Sequence, residues 1–247
     1  MLRDGRAIVL PTCRPEQMVR LFLALVLVQL PTPPETSERL LGLLTLPQVF
    51  GAGACVPFEP RSVALFSRPR ARDPIAHLQV DHYWTFPANG GCEGLEVRIH
   101  QSGHPAEPLP TEEFEYEAPA AIVVARDGDW FKVRTTGRSL WLRGTSDSVY
   151  LPLRALLTSD RLIHLTSAWD GSMYTAPRGT RMRARNVPPE STVRVVSAER
   201  RSGELWLLVE TADSCDPDEP KVPRVRGWVQ AYGSGGQPAL WFFSRGC

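Results

Sequence analysis

Twice along this 247-residue chain a tryptophan-bearing run of alternating character is followed by glycine and a second Trp-aliphatic run. That pairing restricts the chain to a fold built largely from β-hairpins. The first copy reads Gly128-Asp129-Trp130-Phe131-Lys132-Val133-Arg134, then Gly137-Arg138-Ser139-Leu140-Trp141-Leu142. The second reads Gly203-Glu204-Leu205-Trp206-Leu207-Leu208-Val209-Glu210, with its partner at Arg226-Gly227-Trp228-Val229-Gln230-Ala231-Tyr232. Aromatic and Val positions fall on one face and charged residues on the other, the period of two that marks a half-buried strand. Thr135-Thr136-Gly137 is a short connection in the first copy, whereas an acidic, Pro-rich excursion over residues 211–225 separates the strands of the second. The 23 prolines and 19 glycines, scattered among short apolar runs, fit many strands joined by turns better than long helices.

Each hairpin is preceded by similar opening strands. In the first half these are Ser62-Val63-Ala64-Leu65-Phe66-Ser67 and Ile75-Ala76-His77-Leu78-Gln79-Val80; in the second, Gly171-Ser172-Met173-Tyr174 and Thr192-Val193-Arg194-Val195-Val196-Ser197. The first half carries an extra segment, residues 81–119, with a strand-like piece Leu95-Glu96-Val97-Arg98-Ile99-His100 and a Pro- and Glu-rich stretch at residues 103–117 that reads as an exposed loop. Between the halves, Leu153-Arg154-Ala155-Leu156-Leu157 suits a short helix, and Leu162, Ile163 and Leu165 begin the next strand. So short a connector implies halves that pack closely.

The pattern Gly-Asp-Trp-x-x-Val, met at Gly128 to Val133, and the Gly-Trp-Val strand, met at Gly227-Trp228-Val229, resemble the bacterial SH3-like family. The resemblance covers residues 128–247 well and 60–125 loosely. The first copy departs from it with Ser139-Leu140 before Trp141, and the second with its long loop. It implies an all-β fold of two tandem small SH3-like barrels: residues 1–54 a signal peptide or N-terminal apolar segment, 55–150 the first domain with an inserted loop, 151–165 a connector, and 166–247 the second domain. It also implies a noncatalytic binding module whose exposed aromatics grip a cell-envelope peptide, peptidoglycan or a partner protein. Trp130, Phe131, Trp141, Trp228 and Tyr232 are then the ligand-binding residues. Adjacent aromatics on a strand point to opposite faces, so one of Trp130 and Phe131 is expected to be partly exposed, as within Trp241-Phe242-Phe243. The alternative is a structural or assembly component of the bacterial envelope, with the aromatics buried between domains and residues 103–117 meeting another envelope protein.

The amino terminus reads as an export signal. Arg14 and Arg20 precede Leu21-Phe22-Leu23-Ala24-Leu25-Val26-Leu27-Val28, too short for an ordinary membrane span but suited to a signal core. Met18 is a second possible start. Another apolar run, residues 40–50, leads into Gly51-Ala52-Gly53-Ala54-Cys55, where Ala52 and Ala54 fit a cleavage site; the alternative is cleavage near residue 31, with residues 40–50 forming an amphipathic helix. The expected location is therefore periplasmic or extracellular, with membrane attachment only through the signal or through lipidation at Cys55. Apart from Cys13, the cysteines are Cys55, Cys92, Cys215 and Cys247. Four allow three connectivities; the tandem repeat favours Cys55 with Cys92 and Cys215 with Cys247. Each bridge would close a loop of roughly 30 to 40 residues, stabilising the fold by about 3 to 4 kcal/mol, and both belong to an oxidising compartment. Lipidation of Cys55 competes with the first bridge.

Chemistry beyond binding finds little support. With 28 basic and 27 acidic residues and no basic stripe, nucleic acid is excluded as the expected partner. His100 and His104 have the spacing of two metal ligands on a helix, but Gly103 and Pro105 break the helix. Asp213, Asp216, Asp218 and Glu219 lack the glycine and terminal glutamate of an EF-hand loop. No Gly-x-Ser-x-Gly elbow or Ser-x-x-Lys pair occurs, and every cysteine after Cys13 sits in a turn-like context with a disulfide partner at hand rather than in the setting of a reactive thiol. Neither an enzyme nor a cofactor is expected.

Overall fold

Ala120-Ala121-Ile122-Val123-Val124 is apolar at five successive positions, and a strand carrying such a run must be covered on both faces. In the structure, a computed structural model that describes residues 38–50, 61–85, 92–115, 118–159, 161–184, 186–213 and 223–244, this run lies within β7 (Ala118–Asp127). Its companions are β1 (Gly42–Leu44), β6 (Thr111–Glu115), β8 (Trp130–Arg134), β9 (Ser139–Arg143) and β10 (Tyr150–Pro152). They form an antiparallel six-stranded central sheet in the order β10-β1-β7-β8-β9, with β6 paired to the start of β7. Alternation sends Leu43, Ala120, Ile122 and Val124 into one core and Leu44, Ala121 and Val123 into another.

The second of these cores is completed by Phe131, Val133, Leu140 and Leu142 and by a four-stranded sheet of β2 (Val63–Leu65), β3 (Ala76–Thr85), β4 (Cys92–His100) and β5 (Glu107–Pro108), which contributes Leu65, Leu78, Val97 and Ile99. The other core faces a seven-stranded sheet of β11 (Ile163–Leu165), β12 (Ser172–Tyr174), β13 (Arg181–Arg183), β14 (Thr192–Arg201), β15 (Glu204–Thr211), β16 (Arg226–Gln230) and β17 (Leu240–Phe242), in the order β13-β12-β16-β15-β14-β11-β17. Ile163, Leu165, Val193, Leu205, Leu207, Val209, Val229, Leu240 and Phe242 enter it. Two short helices, α1 (Pro47–Phe50) and α2 (Leu153–Thr158), close these layers, α2 through Leu153, Leu156 and Leu157. The protein is thus mostly β, with curled sheets, and residues Ser37–Cys247 form one compact unit.

Both Trp hairpins form. β8 pairs β9 with Lys132 opposite Trp141, and β15 pairs β16 with Leu208 opposite Trp228. β14 reaches β15 through Ser202 and Gly203, both at positive φ (48° and 83°), the conformation of a two-residue type I′ loop that matches strand twist. The short helix and following strand expected after residue 150 are α2 and β11. Two expectations differ from the structure. Residues 103–117 are not simply a loop: β5 and β6 lie within them, because Leu109 is needed to fill the core. Residues 40–50 do not form an amphipathic helix: they supply β1, inserted between β7 and β10, and then the single turn α1. Leu43, Leu44 and Leu46 are fully buried. A Cβ on Gly42 would lie 2.2 Å from the Leu151 carbonyl oxygen, so only glycine lets β1 and β10 approach this closely. No helix among the described residues is long and apolar enough to cross a membrane.

Candidate functional site

The segment leading into β1 is fastened on both sides. Lys132 and Ser139 donate to the Glu38 carboxylate, and Arg134 Nη2 donates to the Glu38 carbonyl at 2.9 Å. Burial pushes the Glu38 pKa up, but the hydrogen bonds from Lys132 and Ser139 and the Lys132 and Arg134 charges outweigh it and hold the carboxyl below its ordinary value. Arg39 pairs with Glu204 at 3.2 Å and covers the Tyr232 ring at 4.8 Å, while Tyr232 OH donates to the Leu40 carbonyl at 2.8 Å.

Beside this segment opens a cleft of about 360 Å³, at the lower end of the range for small-molecule sites. Leu40 forms one wall; Glu112 on β6 and Arg134 at the end of β8 lie on a second; β11 and β17 supply His164 and Trp241; and Thr166, Pro238 and Gln237 belong to the connections beyond them. Ile163 and Leu165 point into the core, so alternation turns His164 to the opposite face, directly across from Trp241, with its ring tilted against Phe243 at 4.6 Å. Thr166 is satisfied: its hydroxyl donates to the Pro238 carbonyl at 2.6 Å and accepts from the Ala168 N–H at 3.2 Å.

Three polar side chains in the cleft are not. The Glu112 carboxylate has no hydrogen bond or ion pair among the described residues. Burial raises its pKa, and the Arg134 charge, farther away than a salt bridge, offsets only part of the rise. Apart from Nη2, the guanidinium N–H groups of Arg134 are uncommitted among the described residues. His164 Nδ1 is buried without a partner, and its Nε2 lies 3.6 Å from Glu190 Oε2. Burial pushes the His164 pKa down, against the pull of Glu190, so the imidazole is neutral at neutral pH. A desolvated carboxylate, a guanidinium and a neutral imidazole beside an indole are equipped to hold a ligand with both polar and apolar parts.

No family model, curated protein or solved structure matches the chain.

None of the five aromatics expected to bind ligand lines this cleft. Trp130 and Phe131 are both in the interior, 8% and 6% exposed, which corrects the expectation that one of them is partly exposed. The reason is layering. Phe131 enters the core with Val133, while the opposite face of β8 is covered by Phe66, whose ring meets Trp130 edge-on at 5.2 Å. Trp141 is half-buried and its backbone bonds to Phe66. Trp228 and Tyr232 are half-buried in or beside the seven-stranded sheet. In Trp241-Phe242-Phe243 the expected alternation holds, with Phe242 buried and its neighbours half-buried. The disulfide assignments rest on Cys55, Cys215 and Cys247, outside the described residues, and on Cys92, which opens β4. His100 ends β4 and bonds Asp81 at 2.6 Å, while His104 lies in the following turn. Asp213 pairs with Arg224 at 2.8 Å; the other acidic residues of that loop lie outside the described residues. Sequence reasoning missed Glu112, Arg134 and His164 as site residues. Only His164 carries a local signal, a lone polar residue in the apolar run Leu162-Ile163-His164-Leu165.

Proposed function

We propose that this protein is a noncatalytic, exported binding module that captures a component of the cell envelope, a peptide, peptidoglycan or a partner protein, through the cleft at Trp241. The observation that carries this reading is the meeting of an accessible indole with three unsatisfied polar groups, Glu112, Arg134 and His164, in one concave site. The Trp hairpins are what supports an SH3-like reading, and two SH3-like units over residues 55–150 and 166–247 belong to the same proposal. So do export by a signal segment and the Cys55–Cys92 and Cys215–Cys247 bridges. Processing at Cys55, for cleavage or lipidation, would remove β1 from the middle of its sheet, so export fits best with cleavage upstream of Glu38.

The test is co-sedimentation of the oxidised exported chain with purified peptidoglycan sacculi. Binding that Trp241→Ala reduces at least tenfold, with little change in thermal midpoint, is the expected result. Trp130→Ala is unsuited as a control, since removing so buried a ring costs about 3 to 5 kcal/mol. Burial of Trp130 and Phe131 also favours a second reading, a structural or assembly component of the envelope. Failure to sediment with sacculi, together with a stable complex with another envelope protein, would establish that reading instead.

A further inference from the structure

The cleft brings together charges of both signs that do not neutralise each other. Glu112 and Arg134 line one cavity, yet they are not within salt-bridge distance. Arg134 is anchored by the Glu38 main chain, which leaves the remaining N–H groups of its guanidinium to a ligand. Each simple class of ligand fails on one of the two groups. An anion would satisfy Arg134 but meet a half-buried carboxylate that burial already disfavours. A cation would satisfy Glu112 but face the guanidinium. A neutral ligand would leave the half-buried Glu112 carboxylate without a partner, which is the expensive case. One class answers both: a molecule with an ammonium and a carboxylate a few bonds apart.

We propose that the cleft binds a small zwitterion, its ammonium held by Glu112, its carboxylate by Arg134, and its hydrocarbon part against Trp241, Leu40 and Pro238. His164 Nδ1, buried and unpartnered in the same wall, is the third polar contact, as donor or acceptor according to its tautomer. A volume of about 360 Å³ is enough for a free amino acid or a dipeptide. The inference rests on this cleft being the binding site and specifies what enters it.

The experiment is titration of the full chain with four probes, followed by backbone amide shifts and calorimetry: leucine, dialanine, leucine methyl ester and N-acetyl-leucine. The ester keeps only the ammonium and the acetylated form only the carboxylate. The expected result is that leucine or dialanine binds, with shifts at Thr166, Gln237 and Trp241, and that each capped form binds at least tenfold more weakly. Glu112→Gln leaves the fold intact, because that carboxylate has no partner among the described residues to lose, yet it weakens the zwitterion at least tenfold and tightens N-acetyl-leucine, which no longer meets a carboxylate. Arg134→Gln weakens N-acetyl-leucine as well. Capped forms that bind as well as the zwitterions, or no binding by either zwitterion at millimolar concentration, would overturn the proposal. If sacculi still sediment with a chain that ignores both zwitterions, the binding-module reading stands and only this inference falls.

Discussion

Glu112 occupies a position that carboxylates seldom keep without a reason, half-buried and without a hydrogen bond or ion pair among the described residues. Its pKa lies above the ordinary value of 4.5 in the folded chain, so the folded state binds its proton more tightly than the unfolded state does. The associated stability is fully present below about pH 4.5 and is lost as pH rises through the folded value. Glu112→Gln removes that loss. We expect the variant to melt above the parent at pH 7, with the difference closing as the pH falls toward 4; a constant difference across that range in a pH series of thermal melts would show that the charge is not the cause. Such a residue is illegible in sequence, where Thr111-Glu112-Glu113 reads as part of a solvated, acidic stretch. The same limit applies to Trp130 and Phe131. Alternation along β8 puts them on opposite faces, but whether the outer face meets solvent depended on Phe66, a residue from another sheet edge that no local pattern names.

Among the elements, β1 departs furthest from its sequence reading. A leucine-rich run followed by small residues resembles the end of an export signal, and its apolar spacing suits one face of a helix equally well. What makes it a strand is tertiary: it is covered on both faces, Leu43 toward one core and Leu44 toward the other, and pairs on both edges. The Trp hairpins, by contrast, were legible because a half-buried strand writes its environment into alternate positions and a glycine turn marks its end. A chain beginning at residue 55 should therefore fail to fold, while one beginning at residue 37 should fold and melt cooperatively. Under the proposed export, amino-terminal sequencing of the mature protein should correspondingly find a start at or before residue 38. A well-folded chain lacking β1 would mean that β7 and β10 can pair without it.

Across the whole molecule, fold class was readable and connectivity was not. The Trp hairpins and their turn chemistry follow from local pattern, but β1, β5 and β6 and the placement of β7 between two cores depend on which distant strands cover them. The core facing the seven-stranded sheet joins Leu43 and Ile122 to Leu207 and Val229, residues from both halves of the sequence. We expect calorimetry to show one cooperative transition for residues 37–247, and Ile122→Ala to lower that whole transition, at a cost of about 2 to 5 kcal/mol. Two separable transitions, only one of them shifted, would mean that the halves unfold independently. The position of β1 also sets a timetable. Its neighbours in the sheet follow it by roughly 80 and 110 residues, separations that slow closure, and at a ribosomal pace they take roughly 5 to 20 seconds to be made. Throughout that interval the newborn chain holds a fully apolar strand without a place to put it. A polypeptide that cannot finish its first sheet until residue 152 has been synthesised stays threadable, the condition that the proposed export through a translocation pore requires.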